Sequence, residues 1–116
     1  EIKNDYYRVV DCIQDSLKRF ATGTYIVWYP IVPRPEAHDL PRKLKGLCGQ
    51  VKKPWLHATL AIGRETGSKD AGLSASGMFI VNPPFTLKPL LNEALPVVEE
   101  ALARGPGRGW VVESGG

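Results

Sequence analysis

The sequence predicts an α/β domain in which helices cover both faces of a mixed sheet. Apolar residues recur at spacings of three and four near both ends of the chain, which indicates amphipathic helices. Short apolar runs between them indicate strands. The resulting order is helix, strand, helix, strand, strand, helix, strand, and such alternation is typical of α/β folds. With no repeat and no shift in composition, residues 1–116 are expected to form a single, partial domain.

The first segment has the spacing of a helix with one apolar face. That face comprises Ile2, Tyr6, Val9, Val10, Ile13, Leu17 and Phe20. Either Asn4 or Asp5 is expected to cap its start, and Gly23 is expected to end it in the left-handed conformation. Cys12 falls in the same segment and is interpreted as a small core or boundary residue.

The middle of the chain contains two predicted strands and a helix. Residues 24–31 are continuously apolar or aromatic, which predicts a strand that is buried on both faces, as in a parallel sheet. Pro30 should mark its end, because proline cannot donate to a ladder. Residues 34–49 indicate a helix that Pro41 disturbs, and the alternation in Trp55–Ile62 predicts a half-buried strand.

The last third contains a strand, a helix and an edge strand. Residues 77–81 form a short apolar run that is expected to pair antiparallel. Thr86 is expected to cap a helix that Pro96 kinks. The apolar face of this helix comprises Leu87, Leu90, Leu91, Ala94, Leu95, Val98 and Leu102. Residues 110–112 predict an edge strand, followed by a frayed end at residues 114–116.

Composition and charge place few limits on function. The net charge of +3 and the pI near 9.0 are compatible with a polyanionic partner. Two cysteines, Cys12 and Cys48, make neither a zinc pattern nor a disulfide framework and fit a cytoplasmic protein. No apolar run approaches the roughly 20 residues needed to span a bilayer. The chain begins with Glu1 rather than methionine, so we expect that other residues precede it.

The sharpest local motif is GMFIVNPPF at residues 77–85. An apolar strand followed by Asn-Pro-Pro-aromatic resembles the active-site motif of methyltransferases that act on exocyclic amines of bases. In that motif the Asn oxygen and a proline carbonyl accept hydrogen bonds from the target amine, and the aromatic ring stacks on a base rotated out of its helix. The alternative is that Asn82 only terminates the strand and that Phe85 is an ordinary core residue.

Four longer stretches resemble one family of enzymes. They are EIKNDYYRVVDCI, KRFATGTYIVWYPIV, SASGMFIVNPPFTL and LLNEALPVV. Together they make the chain similar, over almost its whole length, to the C-terminal part of the RlmJ-type 23S rRNA adenine-N6 methyltransferases. The most specific pieces are TGTY at residues 22–25, WYP at residues 28–30, and SGM at residues 76–78 leading into the Asn-Pro-Pro motif.

The resemblance implies the C-terminal half of a Rossmann-like class I methyltransferase, with the N-terminal half absent. In this family a strand ending in Asp-Pro-Pro-Tyr comes immediately before a Glu that starts the next helix, and Glu1 matches that Glu. The catalytic motif is therefore expected before Glu1, and the S-adenosylmethionine site mostly in the absent half. Asn82 belongs to a second motif that is not the family's catalytic copy, so this chain is expected to be inactive alone.

The resemblance also implies methyl transfer to adenine N6 of 23S rRNA, in the cytoplasm, without a metal and by a monomer. The substrate-side candidates in this chain are Glu1, Lys3, Trp28 and Tyr29. Trp28 and Tyr29 stand at the carboxyl end of a strand, where ligands bind in open α/β sheets. Lys3 would follow the catalytic motif and meet a phosphate. The alternatives are that Trp28 and Tyr29 are core residues and that Lys3 is a solvated residue of the helix.

Two other hypotheses stay open. One is a non-catalytic nucleic-acid-binding module that uses a basic middle segment. That segment contains Arg34, Arg42, Lys43, Lys45, Lys52, Lys53 and Arg64. The other keeps Asn82 as the catalytic residue of a minimal enzyme.

The two histidines, His38 and His57, have no nucleophile near them in the sequence. His57 is interpreted as a structural or surface residue.

Overall fold

The computed structural model describes residues 2–64 and 74–116, which contain three helices and four strands. The helices are α1 (Ile2–Arg19), α2 (Pro35–Val51) and α3 (Leu87–Leu102). The strands are β1 (Tyr25–Pro30), β2 (Trp55–Ile62), β3 (Ala75–Val81) and β4 (Arg108–Gly115). This order of elements agrees with the order predicted from the periodicity. None of these helices is both long enough and apolar enough to cross a membrane.

The four strands form one sheet in the order β1-β3-β2-β4, and each neighbouring pair is antiparallel. The expectation of a mixed sheet is therefore wrong for the described strands. Strands β1 and β2 do run in the same direction, joined by α2. They are not neighbours, because β3 follows β2 without a helix, returns antiparallel and takes the place between them.

The larger core lies between the sheet and the helix pair α1/α2. Its buried members are Ile13, Leu17, Val27, Tyr29, Leu40, Leu44, Leu47, Cys48, Phe79 and Val81. Side chains alternate across a strand, so Phe79 and Val81 of β3 point into this core while Ile80 points to the opposite face. Helices α1 and α2 therefore cover one face of the sheet, and α3 covers part of the other.

The smaller core lies between the sheet and α3. Leu56, Ala58 and Ile80 are its buried members, and Leu87, Leu91, Leu95 and Val112 pack against them. The helix contributes a stripe at a strict spacing of four, so that Leu90, Val98 and Leu102 of the predicted apolar face are exposed. The next position of the stripe is Glu99, which is buried and pairs with Arg108 at 2.8 Å.

The ends of α1 differ from the sequence expectation. The helix begins at Ile2, so neither Asn4 nor Asp5 is its cap. It ends at Arg19, and Gly23 is not among the residues with a positive φ. The carbonyl groups at this end are satisfied instead by a side chain.

That side chain is Tyr25. Its hydroxyl lies 3.0 Å from the carbonyl oxygen of Ser16 and 2.7 Å from that of Phe20. The ring fills the space beside Gly23. Because the chain turns away from the core here, Phe20 is 62% exposed rather than part of the apolar face. Cys12, within the helix, is also exposed and is therefore not a core residue.

Strand β1 is not buried on both faces. It lies at the edge of the sheet, and Ile26 and Trp28 are 63% and 55% exposed. A continuous apolar run shows that both faces of a strand are apolar, but it does not show that both are covered. Pro30 is the last residue of β1, as predicted, and β2 has the predicted bounds.

Two other elements, α2 and β4, extend further than predicted. Helix α2 continues through Pro41 to Val51. Strand β4 extends to Gly115 because Ser114 and Gly115 pair with the start of β2, so they are not frayed. The N-terminal cap position of α3 is held by Thr86, whose side chain makes no capping hydrogen bond.

Gly77 provides a test of this packing. A Cβ atom at Gly77 would lie 2.3 Å from Cζ of Tyr29. We therefore expect Gly77→Ala to lower the free energy of unfolding by about 1–3 kcal/mol, because overpacking displaces the ring. Gly46 in α2 has no neighbour within 4 Å, so Gly46→Ala should raise it by about 0.4–1 kcal/mol. Urea unfolding followed by circular dichroism measures both, and equal effects would contradict the packing.

Candidate functional site

A cleft of about 240 Å³ lies where β1 ends against the start of α1. It is lined by Asp5, Tyr6, Val9, Val27, Trp28, Tyr29, Pro30, Val32 and Leu40. The lining is mainly apolar and aromatic, which suits the faces of a planar ring. This is the carboxyl end of β1, where the sequence predicted that Trp28 and Tyr29 would meet a substrate.

The two aromatic residues occupy opposite faces of β1. Trp28 is exposed, and its indole also lines a second cleft of about 120 Å³ over β2 and β3. Tyr29 is only 3% exposed and belongs to the larger core. The structure therefore leaves Trp28 free to contact a ligand, whereas Tyr29 presents only part of its ring to the cleft.

The Tyr29 ring crosses over β3 to reach β2. It can do so because the residue of β3 paired with Tyr29 is Gly77, which has no side chain. The Tyr29 hydroxyl lies 2.6 Å from Nε2 of His57, and the two ring planes are nearly parallel, at an angle of 12°. The glycine of the SGM motif is thus explained by close packing.

A hydrogen-bonded chain continues from His57 to the surface. His57 Nδ1 lies 3.1 Å from Oε1 of Glu113 on β4, and Lys45 Nζ on α2 lies 2.5 Å from the same oxygen. If the Tyr29 hydroxyl donates to Nε2, the other ring nitrogen of His57 donates through Nδ1–H to the carboxylate. His57 is buried and has a hydrogen-bond partner at each ring nitrogen, so it is not a surface histidine.

The environment of these hydrogen-bonded side chains also influences which of them are charged. Burial raises the pKa of Tyr29 to about 12, so that the phenol stays neutral and can donate. The hydrogen bonds from Lys45 and then from His57 lower the pKa of Glu113 below its usual 4.5, so that it stays a carboxylate. This cluster fixes the position of Tyr29 beside Trp28. Glu113 was not a candidate in the sequence, and Lys45 was noted only as part of the basic segment, because no local pattern links either residue to His57.

The Asn-Pro-Pro motif lies at the other end of the sheet. The register places Pro30 opposite Ser76 at one end of β3, and Tyr25 opposite Val81 at the other. Asn82 follows Val81 and is therefore about 13 Å along the strand from the position opposite Trp28, at ~3.3 Å per residue.

Asn82 is engaged in a turn. Its φ of 56° is left-handed, a conformation that Asn tolerates better than most residues. Its side-chain amide donates to the carbonyl oxygens of Ala21 (3.0 Å) and Gly23 (2.8 Å), and its backbone N–H donates to that of Pro54 (2.9 Å). Phe85 is 93% exposed, so it is not an ordinary core residue.

Other sequence candidates are not brought to the cleft or are not described. Glu1 lies outside the described residues, and Lys3 is in α1 with no described side chain. In the basic segment, Lys43 stands 3.8 Å over the ring of Tyr7, while Lys45 is paired with Glu113. Within residues 2–64 and 74–116, no group of three or more His, Cys, Asp or Glu could hold a metal ion.

The fold defines an α/β domain built on an antiparallel sheet, and a solved structure shares it. Protein LPL1258 from Legionella pneumophila superposes with a TM-score of 0.76 at 24% identity, over 97% of this chain and 39% of that one. The family is shown by sequence. A model described as "Ribosomal RNA large subunit methyltransferase D, RlmJ" matches residues 1–113, and the chain belongs to this family, RsmJ.

Two curated relatives support the same family. The chain is 39% identical over 113 residues to Ribosomal RNA large subunit methyltransferase J of Haemophilus influenzae, covering 97% of this chain and 38% of the relative. It is 35% identical over 116 residues to the protein of that name from Escherichia coli, covering 97% and 40%. The chain thus spans about two fifths of the length of these relatives.

The Glu113 cluster predicts a specific acid response. Because the pKa of Glu113 is lowered in the folded state, its contribution to stability is complete above its ordinary pKa and is lost as the pH falls through the lowered one. Glu113→Gln should therefore flatten the acid limb of the free energy of unfolding in this range, as measured by urea titration at several pH values. Glu93→Gln, at an exposed position of α3, is the matched control. The same acid limb in Glu113→Gln as in the unchanged chain would contradict the assignment.

Proposed function

We propose that the chain is the C-terminal part of a Rossmann-like, S-adenosylmethionine-dependent enzyme that methylates adenine N6 in 23S rRNA. The observation that carries the proposal is the match to the RlmJ family over residues 1–113, together with 35–39% identity to two relatives named as large-subunit rRNA methyltransferases. We further propose that the whole protein acts in the cytoplasm as a monomer and needs no metal for this reaction.

The arrangement of the sheet supports the Rossmann-like assignment. Strands β1 and β2 run in the same direction and are connected by a helix on one face, which is the crossover unit of such folds. The outer edge of β1 has no partner among the described strands, and its neighbourhood contains the aromatic cleft. Further strands of a longer domain would pair at this edge, next to Trp28.

The described residues do not fit the methyl donor by themselves. The cleft beside β1, at about 240 Å³, is smaller than the roughly 300–1,000 Å³ typical of sites for such ligands. Among the described residues that line it, Asp5 is the one carboxylate and most of the others are apolar. We therefore assign no donor-binding residue and no catalytic residue to this chain. The donor would supply the methyl group, and both it and the catalytic motif would be held by residues before Glu1.

The roles that we propose within the chain are supportive. Trp28 presents its exposed indole as a wall for the flipped adenine, and Tyr29, held by His57, lines the same cleft. Glu1 and Lys3 would follow the catalytic motif directly, with Lys3 near a substrate phosphate. Asn82 contributes a turn at the opposite end of the sheet.

A chimera tests the proposal. The segment of the Haemophilus influenzae relative that matches this chain is replaced by the chain, and transfer of a radiolabelled methyl group to unmodified 23S rRNA is measured. We expect the chimera to methylate an adenine at N6, whereas the isolated chain and the relative lacking this segment do not. In the chimera Trp28→Ala should lower the rate by more than tenfold, through lost positioning of the base.

The control for that substitution is Ile26→Ala, which removes another exposed apolar side chain of β1. It should leave the rate within about twofold, since surface substitutions away from a site have small effects. Turnover by the isolated chain would show that the donor site lies within residues 1–116 and would overturn the proposal. A well-folded chimera that binds rRNA without methyl transfer would favour a non-catalytic binding module.

A further inference from the structure

The end of the sheet that holds Asn82 is basic and carries exposed aromatic rings. Three segments meet there through hydrogen bonds of Asn82. Its side-chain amide donates to the carbonyl oxygen of Ala21, and its backbone N–H donates to that of Pro54. We call this surface the basic end and define it as residues 18–23, 52–56, 82–88 and 114–116. These segments contain five Lys or Arg side chains and no Asp or Glu.

Phe85 is the least explained residue of the basic end. Its side chain is 93% exposed, and Phe20, which precedes Ala21 in the chain, is 62% exposed. Phe85 follows two prolines, Pro83 and Pro84, whose own φ angles are fixed. The N–H of Leu87 donates to the carbonyl of Pro84 at 3.0 Å, which closes the turn. This turn presents a large apolar ring to solvent, where a partner could contact it.

The basic side chains of this end are available to a partner. Lys18 and Lys52 are exposed, and Lys52 has a left-handed φ of 57° at the C-terminal cap of α2. Lys88 is exposed and contacts only the hydroxyl of Ser114, at 2.9 Å, among the bonds described. Among the five basic residues of this end, Arg19 pairs with a carboxylate, that of Asp15, at 3.3 Å. Positive charge beside an exposed ring is the chemistry that binds unpaired nucleic acid.

We propose that the basic end is a second RNA-contacting surface, on which phosphates of an unpaired strand meet Lys18 and Lys52 while a base stacks on Phe85. It is distinct from the cleft beside Trp28, since Asn82 lies at the opposite end of β3, about 13 Å from the position opposite Trp28 at ~3.3 Å per residue. The inference rests on the proposed function only in the choice of rRNA as the natural ligand.

The test uses the whole 116-residue chain and fluorescence anisotropy with a labelled single-stranded RNA of about twelve nucleotides, within the size that such surfaces cover. Phe85→Ala should weaken binding by roughly five- to hundredfold, the loss of one stacked base. Val97→Ala, which removes another exposed apolar side chain, from α3, is the control and should change binding by less than about twofold.

The contribution of charge is separable from that of stacking. Lys52→Gln should weaken binding and reduce the slope of log affinity against log salt by about 0.7, as one phosphate contact is lost from a single strand. Arg104→Gln, an equal change of charge next to the opposite end of β2, should leave the slope unchanged. Phe85→Ala should also leave it unchanged, because stacking releases no counterion.

Several results would overturn the inference. They are the absence of binding to this RNA, equal losses in Phe85→Ala and Val97→Ala, and a paired RNA that binds as tightly as the single strand without dependence on Phe85. Failure of the proposed function is distinguishable. A chimera without methyl transfer, alongside Phe85-dependent binding, removes the methyltransferase assignment alone. Methyl transfer by the chimera, with unchanged binding by Phe85→Ala, removes this inference alone.

Discussion

The central strand β3 is the element on which the rest of the domain depends. Both of its edges are paired, with β1 on one side and β2 on the other. Both of its faces are covered as well, since Phe79 and Val81 enter the core under α1 and α2 while Ile80 enters the core under α3. These three side chains are fully buried, and burying each is worth about 1.5–3 kcal/mol. Strand β2 is also paired on both edges, and the core residues Leu56 and Ala58 lie on one of its faces while the buried His57 lies on the other.

Strand β3 also connects two ends of the molecule that carry different surfaces. At one end Gly77 lets the Tyr29 ring cross the sheet to His57, and this places the aromatic cleft beside the open edge of β1. At the other end Asn82 draws three segments together and leaves Phe85 in water among basic residues. We propose that the first end forms a wall for a planar ligand and that the second end binds a polyanion.

The sequence was sufficient for the order of the elements, because periodicity reports which faces of a segment are apolar. The bounds of β2 and the end of β1 at Pro30 followed from the same physics. Periodicity does not report what covers an apolar face, which is why Ile26 and Trp28 were expected to be buried. It also carries no signal for long-range partners, so Glu113 beside His57, 56 residues away, was not foreseen.

The motif that looked most catalytic in sequence has a conformational explanation in the structure. Asn-Pro-Pro combines a residue that tolerates a left-handed φ with two that cannot continue a ladder, so it ends β3 sharply. The resemblance to the family rested on longer stretches, and the family model matches residues 1–113. Two of those stretches, WYP and SGM, meet in this structure where Tyr29 packs against Gly77.

The central claim is that the methyl donor is bound outside this chain. A titration of the isotopically labelled chain with S-adenosylmethionine, followed by amide chemical shifts, tests it most directly. The proposed division of the enzyme predicts no saturable shift changes up to millimolar donor. Saturable shifts clustered at residues 81–85 would contradict it, because they would make the Asn-Pro-Pro motif a working donor site and would place the active centre at the end of the sheet that we assign to RNA.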